Sequence, residues 1–163
     1  MSGLQLESVR RQRILYAEDD VDIGHLVTGM LLDEGFDVTK VESGDDGVTS
    51  FDNQPFHLLL TDVRMPGAKD GLDLAAYALG RNPDLPVVIV SGFAEGLGAR
   101  LASLGQRATL LRKPFLMGEL ISAIHSALLS ASASAAVIII SFGMADDLLH
   151  AALTLPRFPG HGG

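Results

Sequence analysis

Acidic, hydroxyl and amino side chains follow four short apolar runs of this sequence, each at the point where the run stops. The residues concerned are Glu18, Asp19 and Asp20 after the first run, Asp62 after the second, Ser91 after the third and Lys113 after the fourth. Carboxylates brought together repel one another, by roughly 4 kcal/mol for two unit charges about 4 Å apart at an effective dielectric near 20. Such a cluster is tolerated where a cation lies between its members.

Oxygen atoms are the metal ligands in this set, because the sequence contains no cysteine. Oxygen ligands favour Mg²⁺, Mn²⁺ or Ca²⁺, and Mg²⁺ typically takes one or two carboxylates together with phosphate and water. The Lys113 ammonium can pair with a carboxylate and later with a phosphoryl oxygen, and the Ser91 hydroxyl can donate to another. Together these groups suit phosphoryl transfer, which needs positioning and charge neutralisation above all.

The groups can act together only if the fold brings the ends of the four runs to one place. Strand-like apolar runs alternate five times with segments of helical period, from the run 14–17 to the amphipathic segment 115–129. This alternation indicates an α/β fold, a doubly wound parallel sheet of five strands with helices on both faces. In such a sheet ligands bind outside the carboxyl ends of the strands, where the polar groups lie. Asp20 is predicted to cap the first helix rather than to bind metal.

Four strings carry a resemblance to a known family, and they are ILYAEDD, LLLTDVRMPG, VVIVSG and LRKPF. In this order and at these spacings, the sequence from about residue 13 to 129 resembles a response-regulator receiver domain of two-component signal transduction, of the chemotaxis-receiver type. The resemblance implies a flavodoxin-like sheet with strand order 2-1-3-4-5. It also implies a signalling module rather than an enzyme, which assists only its own phosphoryl transfer and hydrolysis.

The resemblance assigns a role to each residue at the strand ends. Asp62 is the implied phosphoacceptor, and Ser91 and Lys113 are the implied contacts of the phosphoryl group. The implied ligands of Mg²⁺ (or Mn²⁺) are Asp19, Asp62, Glu18 and the backbone carbonyl of Arg64. A cis peptide bond is expected before Pro114. The expected donor is a phosphohistidine on a sensor histidine kinase or a histidine phosphotransfer protein.

The sequence departs from the family pattern in two places within this span. Residues 67–69 intervene between Met65-Pro66 and Asp70-Gly71, one residue more than usual, and Leu110 stands where many members carry Tyr or Phe. Two other functions stay open. One is a metal-dependent phosphatase with an aspartyl nucleophile, which Arg64 counts against because such enzymes commonly carry a second Asp at that position. The other is a scaffold that keeps the receiver shape without being phosphorylated.

The charge balance argues against nucleic acid as a partner. The sequence has 12 Lys and Arg against 20 Asp and Glu, a formal net charge of -8 and a pI of about 4.9, whereas nucleic-acid binding depends mainly on cationic contacts to phosphates. The first residues lack the apolar core of a signal peptide, and no charge-free apolar stretch of about 18 residues is present. We therefore expect a cytoplasmic protein that does not span a membrane.

Three segments are predicted along the chain: an N-terminal segment (1–12), a receiver domain (13–130) and a C-terminal extension of unknown role (131–163). The small-residue run 130–136 is interpreted as a linker or a fraying helix end. The apolar run 137–142 is interpreted as a sixth strand, a continuation of the last helix or a contact with a partner subunit. A homodimer is thus one of the alternatives, and the output partner and cognate kinase stay unassigned.

Overall fold

The computed structural model describes residues 10–92 and 96–141, with side chains as far as residue 132. Five strands alternate with five helices in this part of the chain. The strands are β1 (Arg13–Ala17), β2 (Asp37–Val41), β3 (Leu58–Asp62), β4 (Val87–Ser91) and β5 (Ala108–Arg112), and the helices are α1 (Val21–Asp33), α2 (Gly44–Asn53), α3 (Gly71–Arg81), α4 (Gly98–Ser103) and α5 (Met117–Ser141).

The strands form one parallel sheet in the order β2-β1-β3-β4-β5. The predicted fold class and strand order are therefore confirmed. The register pairs Ala17 with Thr61 and Asp62 with Val90, so the carboxyl ends of β1, β3 and β4 lie side by side. Ser91 is paired with Arg112 at the end of β5. The four polar strand ends identified in the sequence thus share one edge of the sheet.

Side chains alternate between the two faces of the sheet, and each face has its own core. Leu15, Leu59 and Ile89 face a cluster that includes residues of α3, with parts of α2 and α4 packed against it. Ile14 and Leu58 belong to the opposite cluster, which contains buried residues of α1 and α5. Burial of a leucine or isoleucine side chain contributes about 2 kcal/mol, so both helical layers are held mainly by these apolar contacts.

Side-chain caps fix where three of the helices begin. Asp20 accepts a hydrogen bond from the N–H of Ile23 at 2.9 Å, which confirms its predicted capping role. Ser43 caps α2 in the same way. Asp70 forms a reciprocal capping box with Asp73 at the start of α3. Of the polar strand ends, those of β1 and β3 are therefore followed by capped helix starts.

Helix α5 is longer than the sequence pattern predicts, since it continues through the small-residue run to Ser141. Of the alternatives for residues 130–141, a continuation of the last helix agrees with the backbone, and a linker or a sixth strand does not. The predicted boundary at residue 130 falls inside this helix and stays a prediction. Residues 1–9, 93–95 and 142–163 lie outside the described residues, and they include most of the predicted C-terminal extension. None of the helices in the described ranges has the length and hydropathy that a membrane crossing needs.

Candidate functional site

Asp62 is the last residue of β3 and lies in the middle of the polar edge. Its side chain is only 12% exposed, and the Nζ atom of Lys113 lies 2.5 Å from its Oδ2 atom. The other carboxylate oxygen, Oδ1, accepts a hydrogen bond from the backbone N–H of Arg64 at 3.2 Å. The carboxylate is therefore held from two sides, with an ammonium on one and a backbone amide on the other.

Glu18 brings a second buried carboxylate to the same place, since its side chain is 5% exposed. Its Oε2 atom lies 4.0 Å from Nζ of Lys113, and its Oε1 atom accepts a hydrogen bond from the backbone N–H of Asp20 at 3.0 Å. Lys113 thus pairs with two acidic side chains that come from β3 and from the end of β1. Residues 51 positions apart in the sequence meet here, as the strand-end argument predicts.

The position of Lys113 is fixed by the strand next to it. Its backbone N–H donates to the carbonyl of Ser91 at 3.0 Å, which continues the β4–β5 pairing by one residue. The peptide bond between Lys113 and Pro114 is cis, as expected. Ser91 itself is buried at the end of β4, next to the strand that carries Asp62. Its hydroxyl therefore belongs to the same edge as the acidic cluster.

Burial and mutual repulsion shift the proton affinities of this cluster. Burial raises the pKa of Glu18 above its usual value; Asp62 and Asp19 add to the rise, and the Asp20 amide and Lys113 oppose it. Burial alone would lower the pKa of Lys113, but its hydrogen bond to Asp62 and the surrounding carboxylates raise it overall. Tyr16, buried beneath the cluster on β1, has a raised pKa for the same reasons, burial first. The site therefore carries an excess of negative charge that one lysine only partly neutralises.

The main chain of Asp62 is held as closely as its side chain. Its carbonyl oxygen accepts a hydrogen bond from the hydroxyl of Thr61 at 2.8 Å. A Cβ atom placed on Gly71 would lie 1.7 Å from that same carbonyl oxygen, so only glycine allows α3 to begin against the end of β3. Gly71 belongs to the Asp70-Gly71 motif of the sequence, but no local pattern predicts this contact, because it joins a strand end to a helix start across a loop.

The predicted metal ligands are brought together in part. Glu18 and Asp62 share Lys113, whereas Asp19 is exposed and acts on Glu18 and Lys113 through its charge. Arg64 follows Asp62 closely enough for its N–H to bond the carboxylate. Within residues 10–92 and 96–141, no three His, Asp or Glu side chains already form a group that could hold a metal ion. At Oδ2 of Asp62 the neighbouring cationic group is the ammonium of Lys113.

The loop between β3 and α3 is held at two points, one inside the loop and one at its C-terminal end. Asp45 of α2 accepts a hydrogen bond from the backbone N–H of Ala68 at 3.1 Å, beside Gly67, whose φ of 99° lies in the left-handed region. Asp70, at the C-terminal end, pairs with Arg100 of α4. Asp62 is the last residue of β3, and the predicted extra residue of this loop stays a prediction. Sequence analysis missed Asp45 and Arg100, since neither lies at a strand end.

Comparison with known proteins agrees with this geometry. Residues 14–125 match the family described as the response regulator receiver domain. The response regulator receiver protein CpdR of Brucella abortus is 35% identical over 120 residues, which cover 74% of this chain and 99% of that protein. The nitrogen assimilation regulatory protein NtrX of Azorhizobium caulinodans is 29% identical, but only 24% of its length is covered.

Solved structures give the same result. The crystal structure of a response regulator receiver protein from Sinorhizobium medicae has a TM-score of 0.68 and 30% identity, covering 76% of this chain and 99% of that one. A CheY-like receiver domain protein from Methanospirillum hungatei has a TM-score of 0.71 and 25% identity, covering 76% and 98%. The similarity thus extends over almost the whole of the two solved chains and over 76% of this chain.

Proposed function

The chain belongs to the response regulator receiver domain family, and we propose that it accepts a phosphoryl group on Asp62 in a two-component phosphorelay. The observation that carries the proposal is the arrangement around this residue: a carboxylate at the end of β3, held against the Lys113 ammonium at 2.5 Å and beside a second buried carboxylate, Glu18. Receiver domains are the signalling modules of two-component response regulators, and the family match favours this function over the phosphatase and the scaffold.

Asp62 acts as the nucleophile in this proposal. A carboxylate oxygen attacks the phosphorus of a phosphohistidine, the P–O bond to Asp62 forms, and the P–N bond breaks with its electron pair returning to the imidazole nitrogen. The phosphoryl oxygens then replace the carboxylate as the partner of the Lys113 ammonium. The Ser91 hydroxyl, at the end of the adjacent strand, donates to another phosphoryl oxygen. Attack by water on the phosphorus later releases inorganic phosphate and restores the Asp62 carboxylate.

A divalent metal ion fits the composition of the site. Glu18 is buried with a raised pKa, and it shares the Lys113 ammonium with Asp62. The acidic groups of the cluster therefore outnumber this ammonium, and they offer only oxygen ligands. We propose that Asp19, Asp62, Glu18 and the backbone carbonyl of Arg64 hold Mg²⁺ or Mn²⁺. The ion supplies neutralisation of the charge that gathers on the phosphoryl oxygens.

The phosphodonor is proposed to be a histidine kinase or a histidine phosphotransfer protein. Large apolar side chains are exposed on the segments that leave the polar edge: Val21 and Leu26 are 51% and 62% exposed on α1, and Leu116, three residues after Lys113, is 74% exposed. Exposed apolar groups around a reactive site favour contact with another protein. They fit a donor that must bring a protein-bound phosphohistidine to Asp62.

The proposal is tested by phosphorylation with a small phosphodonor and Mg²⁺, followed by intact mass measurement. We expect the wild-type protein to gain the mass of one phosphoryl group and to lose it again on standing. Asp62→Asn should gain none, whereas Asp52→Asn, which changes an exposed aspartate on α2, should behave like the wild type. An equal mass gain in wild type and Asp62→Asn would exclude Asp62 as the acceptor.

A further inference from the structure

Helix α4 is the least firmly packed helix of the described fold. It has only six residues, none of them buried, and no side chain caps its first turn. Leu97, Leu101 and Leu104 are partly buried against the core on this face of the sheet. Glycines with positive φ precede and follow the helix, Gly96 at 78° and Gly105 at 77°. Few buried apolar contacts and glycine-flanked ends are typical of a segment of low local stability.

Arg100 gives this helix a charged attachment to α3. Its Nη1 atom lies 2.7 Å from Oδ2 of Asp70 and its Nη2 atom 2.8 Å from Oδ1, a two-pronged pair in which both carboxylate oxygens are used. Nη2 also donates to Asp73 at 3.1 Å. The hydrogen bond from Arg100 lowers the pKa of Asp70 below its usual value. Two-pronged arginine–carboxylate pairs are the stronger kind of ion pair, because two hydrogen bonds fix their geometry.

The acidic partners of Arg100 are tied to the proposed phosphoacceptor. Asp70 and Asp73 form the capping box that starts α3, and Gly71 between them lies against the carbonyl oxygen of Asp62. The N–H of Gly71 also donates to the carbonyl of Val63 at 2.9 Å. A short and rigid path therefore runs from the end of β3 to the start of α3, and from there through the ion pair to α4.

The ends of the segment that contains α4 also reach the site. Ser91 precedes α4 in the chain and Lys113 follows it after β5. Under the proposed function both residues change partners when Asp62 carries a phosphoryl group. A displacement of these residues is passed to α4 through the chain, whereas the pair with Asp70 resists it.

We propose that the ion pairs of Arg100 with Asp70 and Asp73 are a latch that holds α4 in the arrangement of the unphosphorylated domain and opposes the switch to the phosphorylated one. The switching part of this inference rests on the proposed function of Asp62. The latch is modest in strength, because the side chain of Arg100 is 44% exposed and that of Asp70 30%. A ligand that binds the switched arrangement must overcome the latch. Removal of the latch therefore shifts the population towards that arrangement.

The attachment of α4 is tested first, on the full chain without metal or phosphodonor. Hydrogen exchange of the α4 amides should become about fivefold faster in Arg100→Gln, which is the change expected from loss of a favourable exposed ion pair. Exchange in the other helices and strands should be unchanged. Arg107→Gln is the matched control, since it removes another arginine–aspartate pair, with Asp84 at 3.4 Å, and should leave α4 exchange as in the wild type. Unchanged α4 exchange in Arg100→Gln would overturn the proposal.

Asp70→Asn completes a double-mutant cycle, because asparagine keeps the helix cap and loses the charge. The double variant should exchange at α4 no faster than Arg100→Gln alone. If the effects of the two substitutions on the α4 exchange rate multiply, Arg100 and Asp70 act independently and the latch is refuted.

The effect on switching is tested by titrating the full chain with beryllofluoride and Mg²⁺, an analogue of the phosphoryl group. The apparent Kd should fall about fivefold in Arg100→Gln and stay the same in Arg107→Gln. An unchanged or higher Kd in Arg100→Gln, with normal binding by the wild type, would overturn the latch. Failure of the wild type to bind the analogue would instead count against the proposed function of Asp62, and the exchange result would still decide whether Arg100 holds α4.

Discussion

Substitution of Glu18 by glutamine should make the metal-free domain more stable while weakening its interaction with Mg²⁺. Glutamine keeps an oxygen that can accept the N–H of Asp20, which Glu18 binds at 3.0 Å, and removes one negative charge from a side chain that is 5% exposed. The variant therefore changes the electrostatics of the site and leaves its shape and its hydrogen bond to the main chain in place.

The size of the effect follows from the geometry around Lys113. Its Nζ atom lies 2.5 Å from Asp62 Oδ2 and 4.0 Å from Glu18 Oε2, so these two oxygens are at most about 6.5 Å apart. At an effective dielectric near 20, Glu18 gains roughly 4 kcal/mol from the ammonium and loses at least about 2.5 kcal/mol to Asp62. Taking a carboxylate out of water costs several kcal/mol more. The balance favours glutamine by about 1 kcal/mol at pH 7.

The sign of the pH dependence can be stated from the raised pKa of Glu18. Between its unfolded value of 4.5 and its higher folded value, the folded state binds more protons than the unfolded state, so the free energy of unfolding falls as the pH rises. Below pH 4.5 the Glu18 carboxyl is protonated in both the folded and the unfolded state, so it no longer lowers the free energy of unfolding. Glu18→Gln should therefore be more stable than the wild type at pH 7, and the difference should shrink as the pH approaches 4.

The assay is urea unfolding without divalent cations at several pH values, with Glu42→Gln as control, an exposed glutamate paired with Lys40 at 3.3 Å. Addition of Mg²⁺ at tenfold its Kd should stabilise the wild type by about 1.4 kcal/mol and the Glu18 variant by less. The reasoning is refuted if Glu18→Gln is less stable than the wild type in the metal-free state at pH 7, or if its advantage is as large at pH 4.

Three further outcomes are expected. Gly71→Ala should destabilise the domain by about 3 kcal/mol or more in urea unfolding, because its Cβ would meet the Asp62 carbonyl. The control Gly80→Ala, in the same helix with open space around it, should stabilise the domain by up to about 1 kcal/mol. Equal effects of the two substitutions on the free energy of unfolding would contradict this reasoning. Lys113→Gln should bind Mg²⁺ about tenfold more tightly by calorimetry, because the competing ammonium is gone, yet accept phosphoryl groups more slowly; weaker metal binding would argue against competition. Ile124→Ala, at a fully buried position of α5, should lower the free energy of unfolding by 2–5 kcal/mol; a loss below about 1 kcal/mol would show that α5 adds little to the core.

Local patterns were sufficient to predict the alternation of five strands with helices and the start of α1. The apolar runs before Asp62 and Ser91 form fully buried strands, because continuous apolar sequence is stable only where both faces of a sheet are covered. Asp20 caps α1 as predicted, since capping depends on residues within one turn. The C-terminal end of α5 was not predicted. Alanine is the best helix former and the sequence has no Gly or Pro between residues 118 and 143, so nothing in the small-residue run stops the helix.

The sequence by itself determined which residues meet at the edge of the sheet, because parallel strands of one sheet end on the same side wherever they lie in the chain. Only the tertiary structure decided how they pair: that Lys113 lies closer to Asp62 than to Glu18, and that Arg100 binds Asp70 across 30 residues. Such pairs depend on the paths of the loops and the packing of the helices, where differences of an ångström change the partner. Periodicity and spacing along the chain contain no information on that scale.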